Sequence, residues 1–189
     1  MSWFYSIIKI AGASFPVASS LVQFQSELDS KEITKQIKKL NDPISGLHVD
    51  IPNVSKILYK KITDTNSSYL QELGNEFYTQ YSRSLAILES HKYIKGYHDS
   101  GGKYSAGMSV IDPTYIMYMC ASNEDQNKME AIMKVVDECQ VDEQLDGRIL
   151  QKEIGLSLPV IEAVFKIYES KGYGFVSQEI GSSSYLGNV

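Results

Sequence analysis

Apolar and polar positions alternate along this chain in a way that changes period several times. Val54, Ile57, Leu58 and Ile62 recur at helical spacing and predict a short amphipathic helix over 53–63, its inward face made by those four residues. A polar stretch over 63–68 reads as a loop. Two further helices are expected over 69–77 and 78–91. The period then shortens to two, giving strands over 92–97 and 103–111 around His98-Asp99-Ser100-Gly101-Gly102, a turn rich in residues that tolerate left-handed backbone. Asp112-Pro113 opens an apolar segment, TYIMYM, expected to be buried.

The same order follows a second time. Met129, Ile132, Met133, Val136 and Cys139 predict a longer helix over 125–140. Ile149, Leu150 and Ile154 make a short apolar stripe that Gly155 ends, since glycine tolerates the conformation a helix C-cap needs. Ser157 suits an N-cap and Pro159 a first helical turn. Ile161, Val164, Phe165 and Tyr168 follow at helical spacing, and Gly172 closes that helix. Residues 175–189 can form a second hairpin around Gly181-Ser182-Ser183. The class expected is α+β, mainly helical.

The N-terminal part is different. Residues 26–40 predict an exposed helix with Leu28, Ile33, Ile37 and Leu40 on one face, stopped by Asn41-Asp42-Pro43. Residues 43–52 read as a linker. Residues 3–24 contain one charge, Lys9, and reach the length of a membrane span, but serines and Pro16 weaken their apolarity. Three readings stay open there: a helix or hairpin packed on the protein or on a second copy, a membrane-associating helix anchored by Trp3, Phe4, Tyr5, Ile7 and Ile8, and a cleaved signal, disfavoured by Lys9 inside the run.

An offset of 80 residues superposes the two halves without a gap from the third helix to the hairpin. Ile87 falls on Ile167, Glu89 on Glu169, Ser90 on Ser170, Tyr93 on Tyr173, Gly101 on Gly181 and Gly107 on Gly187. Leu85 meets Phe165 and Leu88 meets Tyr168, both apolar pairs. These matches coincide with elements read independently, which is the signature of a duplicated module. The chain divides into 1–50, 51–120 and 121–189.

Charge separates the two modules. The 189 residues carry a net charge of −5, against a general nucleic-acid coat. Residues 51–120 hold seven basic and six acidic groups, net +1, whereas 121–189 hold six basic and twelve acidic, net −6. Nucleic-acid contact is therefore expected in the first module rather than the second. Cys120 and Cys139 show no metal spacing and read as unpaired thiols of a reducing cytoplasm; no metal or other cofactor is expected. Asp137, Glu138, Asp142, Glu143 and Asp146 read as a solvated acidic run, because the spacing and glycine of a calcium loop are missing. The glycines of SGGKYSAG fit a hairpin turn, since they lack the order of a phosphate loop. No catalytic constellation emerges.

The helix–turn–helix of 149–174 and the hairpin after it resemble bacterial winged-helix domains; the resemblance covers both modules, is stronger for the second, and names no narrower family. In winged-helix DNA binders the third helix enters the major groove through its early polar residues, often a Ser-Arg pair. The resemblance places Thr79, Gln80, Ser82 and Arg83 on that helix in the first module, with Ser82-Arg83 in register, and Lys95, His98 and Lys103 on its wing. In the second module the pair is Glu162-Ala163, a carboxylate where phosphate would lie. Val160, Glu162 and Lys166 are accordingly expected to make a protein contact or an intramolecular one. The resemblance implies a small, cytoplasmic, dimeric, non-catalytic DNA-binding regulator. The other reading is an adaptor or effector acting through protein contacts, as in bacterial stress or antiviral systems, with residues 3–24 touching a membrane or a larger complex.

Overall fold

The computed structural model describes Ile44 and residues 47–71, 73–102, 104–123, 125–179 and 182–187. The expectations for residues 3–24, including Trp3, Phe4, Tyr5, Ile7 and Ile8, and for 26–40 lie outside these residues, as do Lys103 and Gly181. Among the described residues no helix is long and apolar enough to cross a membrane.

The chain is mixed helix and sheet, mainly helical. The first module consists of α1 (Ile51–Thr65), β1 (Tyr69–Leu70), α2 (Asn75–Gln80), α3 (Ser82–Ser90), β2 (Ile94–His98) and β3 (Tyr104–Val110). A connecting helix, α4 (Pro113–Ser122), leads to α5 (Gln126–Asp137), β4 (Gln144–Asp146), α6 (Gly147–Ile154), α7 (Leu158–Ser170), β5 (Gly174–Glu179) and β6 (Ser182–Gly187). Each module has a three-stranded antiparallel sheet whose last strand lies in the middle, in the orders β1-β3-β2 and β4-β6-β5.

Local chemistry explains most of the element ends. Pro52 sits in the first turn of α1, where a missing N–H costs nothing, so the helix starts inside the segment expected to be a linker. Asp112 caps α4 by accepting the Tyr115 N–H at 2.7 Å. Asp146 caps α6, accepting from the Arg148 N–H at 2.7 Å and the Ile149 N–H at 3.2 Å, so it is a structural carboxylate rather than part of a solvated run. Gly155 ends α6 in left-handed conformation, as expected. Ser157 stands at the N-cap position of α7 but makes no capping bond; its Oγ is buried and finds no partner among the described residues. The cap comes instead from the first module: Asn66 Oδ1 accepts the Leu158 N–H at 2.7 Å and the Gln151 side-chain N–H at 2.9 Å.

One inward assignment fails: Ile57 is exposed, because α1 turns Val54, Leu58 and Ile62 to the core instead, and in the apolar stripe of α6 Leu150 is buried while Ile149 is exposed. Tyr69 and Leu70 form a strand, not a helix, paired to Ser109 and Met108 of β3.

A single hydrophobic cluster runs through both modules, from Ile44 and α1 to Phe165 and Tyr185. Its centre is α4, in which every residue from Thr114 to Ala121 is buried. This helix packs on α1, α5 and α7, so the expected boundary at residue 120 falls inside the element that joins the modules. Tyrosine hydroxyls tie the layers together: Ser55 to Tyr115 at 2.9 Å, Tyr59 to Asp125 at 2.7 Å, and Tyr168 to Asp137 at 2.6 Å.

The offset of 80 recurs as hydrogen bonds. Glu89 Oε1 accepts the Gly96 N–H at 2.8 Å, and Glu169 Oε1 accepts the Val176 N–H at 2.8 Å. Ser90 donates to the Ile87 carbonyl and Ser170 to the Ile167 carbonyl. The Tyr93 N–H bonds the Leu88 carbonyl and the Tyr173 N–H bonds that of Tyr168. Gly107 and Gly187 match for one reason: a Cβ at the first would collide with the Leu70 carbonyl, and at the second with that of Gln140. Both glutamates bond an N–H of the outer hairpin strand, β2 or β5, and thereby blunt an edge open to pairing.

Candidate nucleic-acid interface

The helical run expected over 78–91 breaks at Tyr81, whose backbone (φ −106°, ψ 17°) leaves helical geometry. Thr79 and Gln80 therefore belong to the last turn of α2 rather than to the third helix. Both are exposed, and the Thr79 hydroxyl is turned back onto the Asn75 carbonyl at 2.9 Å. Ser82 and Arg83 open α3, exposed, with no side-chain cap ahead of them. Ala86 and Ser90 continue the outward face, while Ser84, Leu85 and Leu88 bury the other.

The hairpin approaches that face. Lys95 is exposed on β2, its Nζ 5.6 Å from the centre of the Tyr97 ring. His98 ends β2 between two acceptors: Nε2 lies 3.1 Å from Glu89 Oε2, and Nδ1 lies 3.2 Å from the Gly102 carbonyl. The Tyr104 hydroxyl also donates to Glu89 Oε2, at 3.3 Å, and its ring stacks on Tyr78 at 4.7 Å. Partial burial raises the Glu89 carboxyl, but the Gly96 N–H, His98 and Tyr104 outweigh it and hold the group below its ordinary range.

A groove of about 510 Å³ opens between α2, α3 and the hairpin. It brings Thr79, Ser82 and His98 together, with Asn75, Tyr78, Glu89 and Tyr104 completing its walls. Gln80, Arg83 and Lys95 do not line it. Glu89 and Tyr104 were not among the site residues expected from sequence. The repeat identity of Glu89 with Glu169 was the available signal for the first, and nothing in the sequence marked the second.

The second module arranges its third helix differently. Nine of the thirteen residues of α7 are buried, against α4 on one side and the sheet on the other. Val160 is 0% exposed, so its part in a contact with another protein is corrected: it packs inside the molecule. Glu162 and Lys166 are half-buried in a cleft against β3 and α4.

The thiols are free, and burial pushes Cys120 up to about 12, leaving it a poor nucleophile. Among the described residues no three metal-ligating side chains converge. Compared with known proteins, the chain matches no family model, no curated protein and no solved structure.

Proposed function

We propose that each module is a winged helix and that the first contacts duplex DNA in a small regulator without catalysis. The repeated order helix, strand, two helices and hairpin, with the last strand central, supports the first part. The observation that carries the second is the contrast between the two third helices. α3 leaves Ser82, Arg83, Ala86 and Ser90 open beside the hairpin, whereas α7 is buried along most of its length.

In this reading α3 enters the major groove. Arg83 bonds a guanine edge or a phosphate, and Ser82 and Gln80 add polar contacts from the α2–α3 junction. Lys95 and His98, with Lys103, follow the backbone. Glu89 on that face is already engaged by the Gly96 N–H, His98 and the Tyr104 hydroxyl. A second copy of the chain, joined through the N-terminal region or the second module, would double the contact, as dimeric readers of this kind do.

The test is anisotropy of labelled random duplex DNA against salt, for the native chain and Arg83→Ala. The expected outcome is binding that weakens steeply with salt. Each phosphate contact contributes a log–log slope of about −0.9, and loss of Arg83 flattens the slope by about one such step. Binding at low salt that ignores Arg83 would rule the assignment out.

A further inference from the structure

Among the polar residues of α7, two have no local task. Glu169 is held by the Val176 N–H and Ser170 by the Ile167 carbonyl. Glu162 and Lys166 make no hydrogen bond or ion pair among the described residues. They are one helical turn apart and line a cleft of about 230 Å³ between the modules. Its opposite wall comes from the end of β3 and the start of α4, with Ser109, Pro113 and Ile116; Pro159 closes the near side.

This arrangement differs from a solvated surface pair. Where such a pair is exposed in this protein, as at Lys134 and Glu138, the two groups approach to 3.7 Å. In the cleft both are half-buried and form no ion pair with each other, and no hydrogen bond among the described residues offsets the solvation they lose. Burial accordingly raises the Glu162 carboxyl, opposed only in part by Lys166. Two opposite charges at turn spacing, beside Pro113, Ile116 and Pro159, match a molecule carrying its own ammonium and carboxylate on one carbon.

We propose that the cleft binds a small zwitterion of the α-amino-acid class with an apolar side chain, its ammonium on Glu162, its carboxylate on Lys166 and its side chain against Pro113, Ile116 and Pro159. The ligand would touch both modules at once, since the cleft walls come from each. The third helix of the second module, closed off as a reading surface, thus acquires a binding role of its own. This assignment does not depend on DNA binding by the first module.

The experiment is thermal unfolding of the full chain in the presence of each common amino acid. It is followed by calorimetric titration of any that raises the midpoint. For leucine the controls are its methyl ester, which lacks the carboxylate, and isocaproate, which lacks the ammonium. At least one apolar amino acid is expected to raise the midpoint, and the controls are not. Glu162→Gln and Lys166→Met should each weaken binding about tenfold or more, one charge contact being worth at least that in a half-buried site. Both variants should keep the unliganded midpoint. The proposal is overturned by a midpoint that no amino acid moves, by controls that bind as well as leucine, or by binding that survives both substitutions.

Discussion

Asn66 is the residue on which sequence and structure part most clearly. It sits just past α1 with φ 49°, a left-handed conformation that asparagine tolerates better than most residues. From there its side-chain oxygen takes the Leu158 N–H across 92 residues and fills the role that Ser157 holds in position only. Asn66→Ala is expected to cost roughly 1–3 kcal/mol, from the lost cap and the strained backbone together. Ser157→Ala is expected to be close to neutral, because its buried hydroxyl has no hydrogen bond among the described residues. Urea unfolding of both variants checks the pair; equal losses, or the larger loss at Ser157, would show that the cap is local after all. Ser157 was legible as a cap because capping is usually a short-range affair. Asn66 was not, since nothing in a sequence couples a helix end to a residue so far upstream.

At the level of elements, most helices and both hairpins are visible in periodicity, and the misses share a cause. The two-residue β1 has no period of its own and exists through its pairing with β3. The α2–α3 break at Tyr81 carries neither glycine nor proline, so Thr79 and Gln80 read as part of the next helix. The pattern of α7 shows one apolar face through Ile161, Val164, Phe165 and Tyr168. Its other buried face, Val160, Ala163 and Ile167, needs α4 as a partner, and α4 was legible only as an apolar segment. The hairpin of the first module also carries a pH dependence. The folded Glu89 carboxyl lies below its unfolded value, so the ionised form is the one folding favours. Its stabilisation is present above the ordinary carboxylate value of about 4.3 and is lost as pH falls through the lower folded value. Because the carboxylate stays partly open to water, solvent screening keeps the effect small. Amide exchange at Gly96 should lose protection over that acid range in the native chain, and Glu89→Gln should remove the titration. Gly96 protection that is flat with pH in the native chain would contradict the assignment.

On the scale of the whole molecule, one repeated unit sits in two different settings. The helix-to-hairpin bonds of Glu89 and Glu169 are the same, and so are the glycines that let the preceding segment approach the last strand. The surroundings differ. The first module exposes its third helix, while α4 and the sheet cover that of the second. The duplication was legible because identities fell at one offset. The burial of α7 was not, because it depends on how the halves pack. The acidic balance of the second module and its Glu162-Ala163 pair were readable from charge alone, and the burial of α7 is an independent difference between the two third helices.

The central claim is that DNA meets the first module and not the second, and hydrogen–deuterium exchange of the full chain with and without random duplex DNA at low salt tests it most directly. The account predicts slowed exchange across residues 79–90 and 94–102, with residues 158–170 unchanged. Protection confined to α7, or no protection anywhere in the first module, would contradict it.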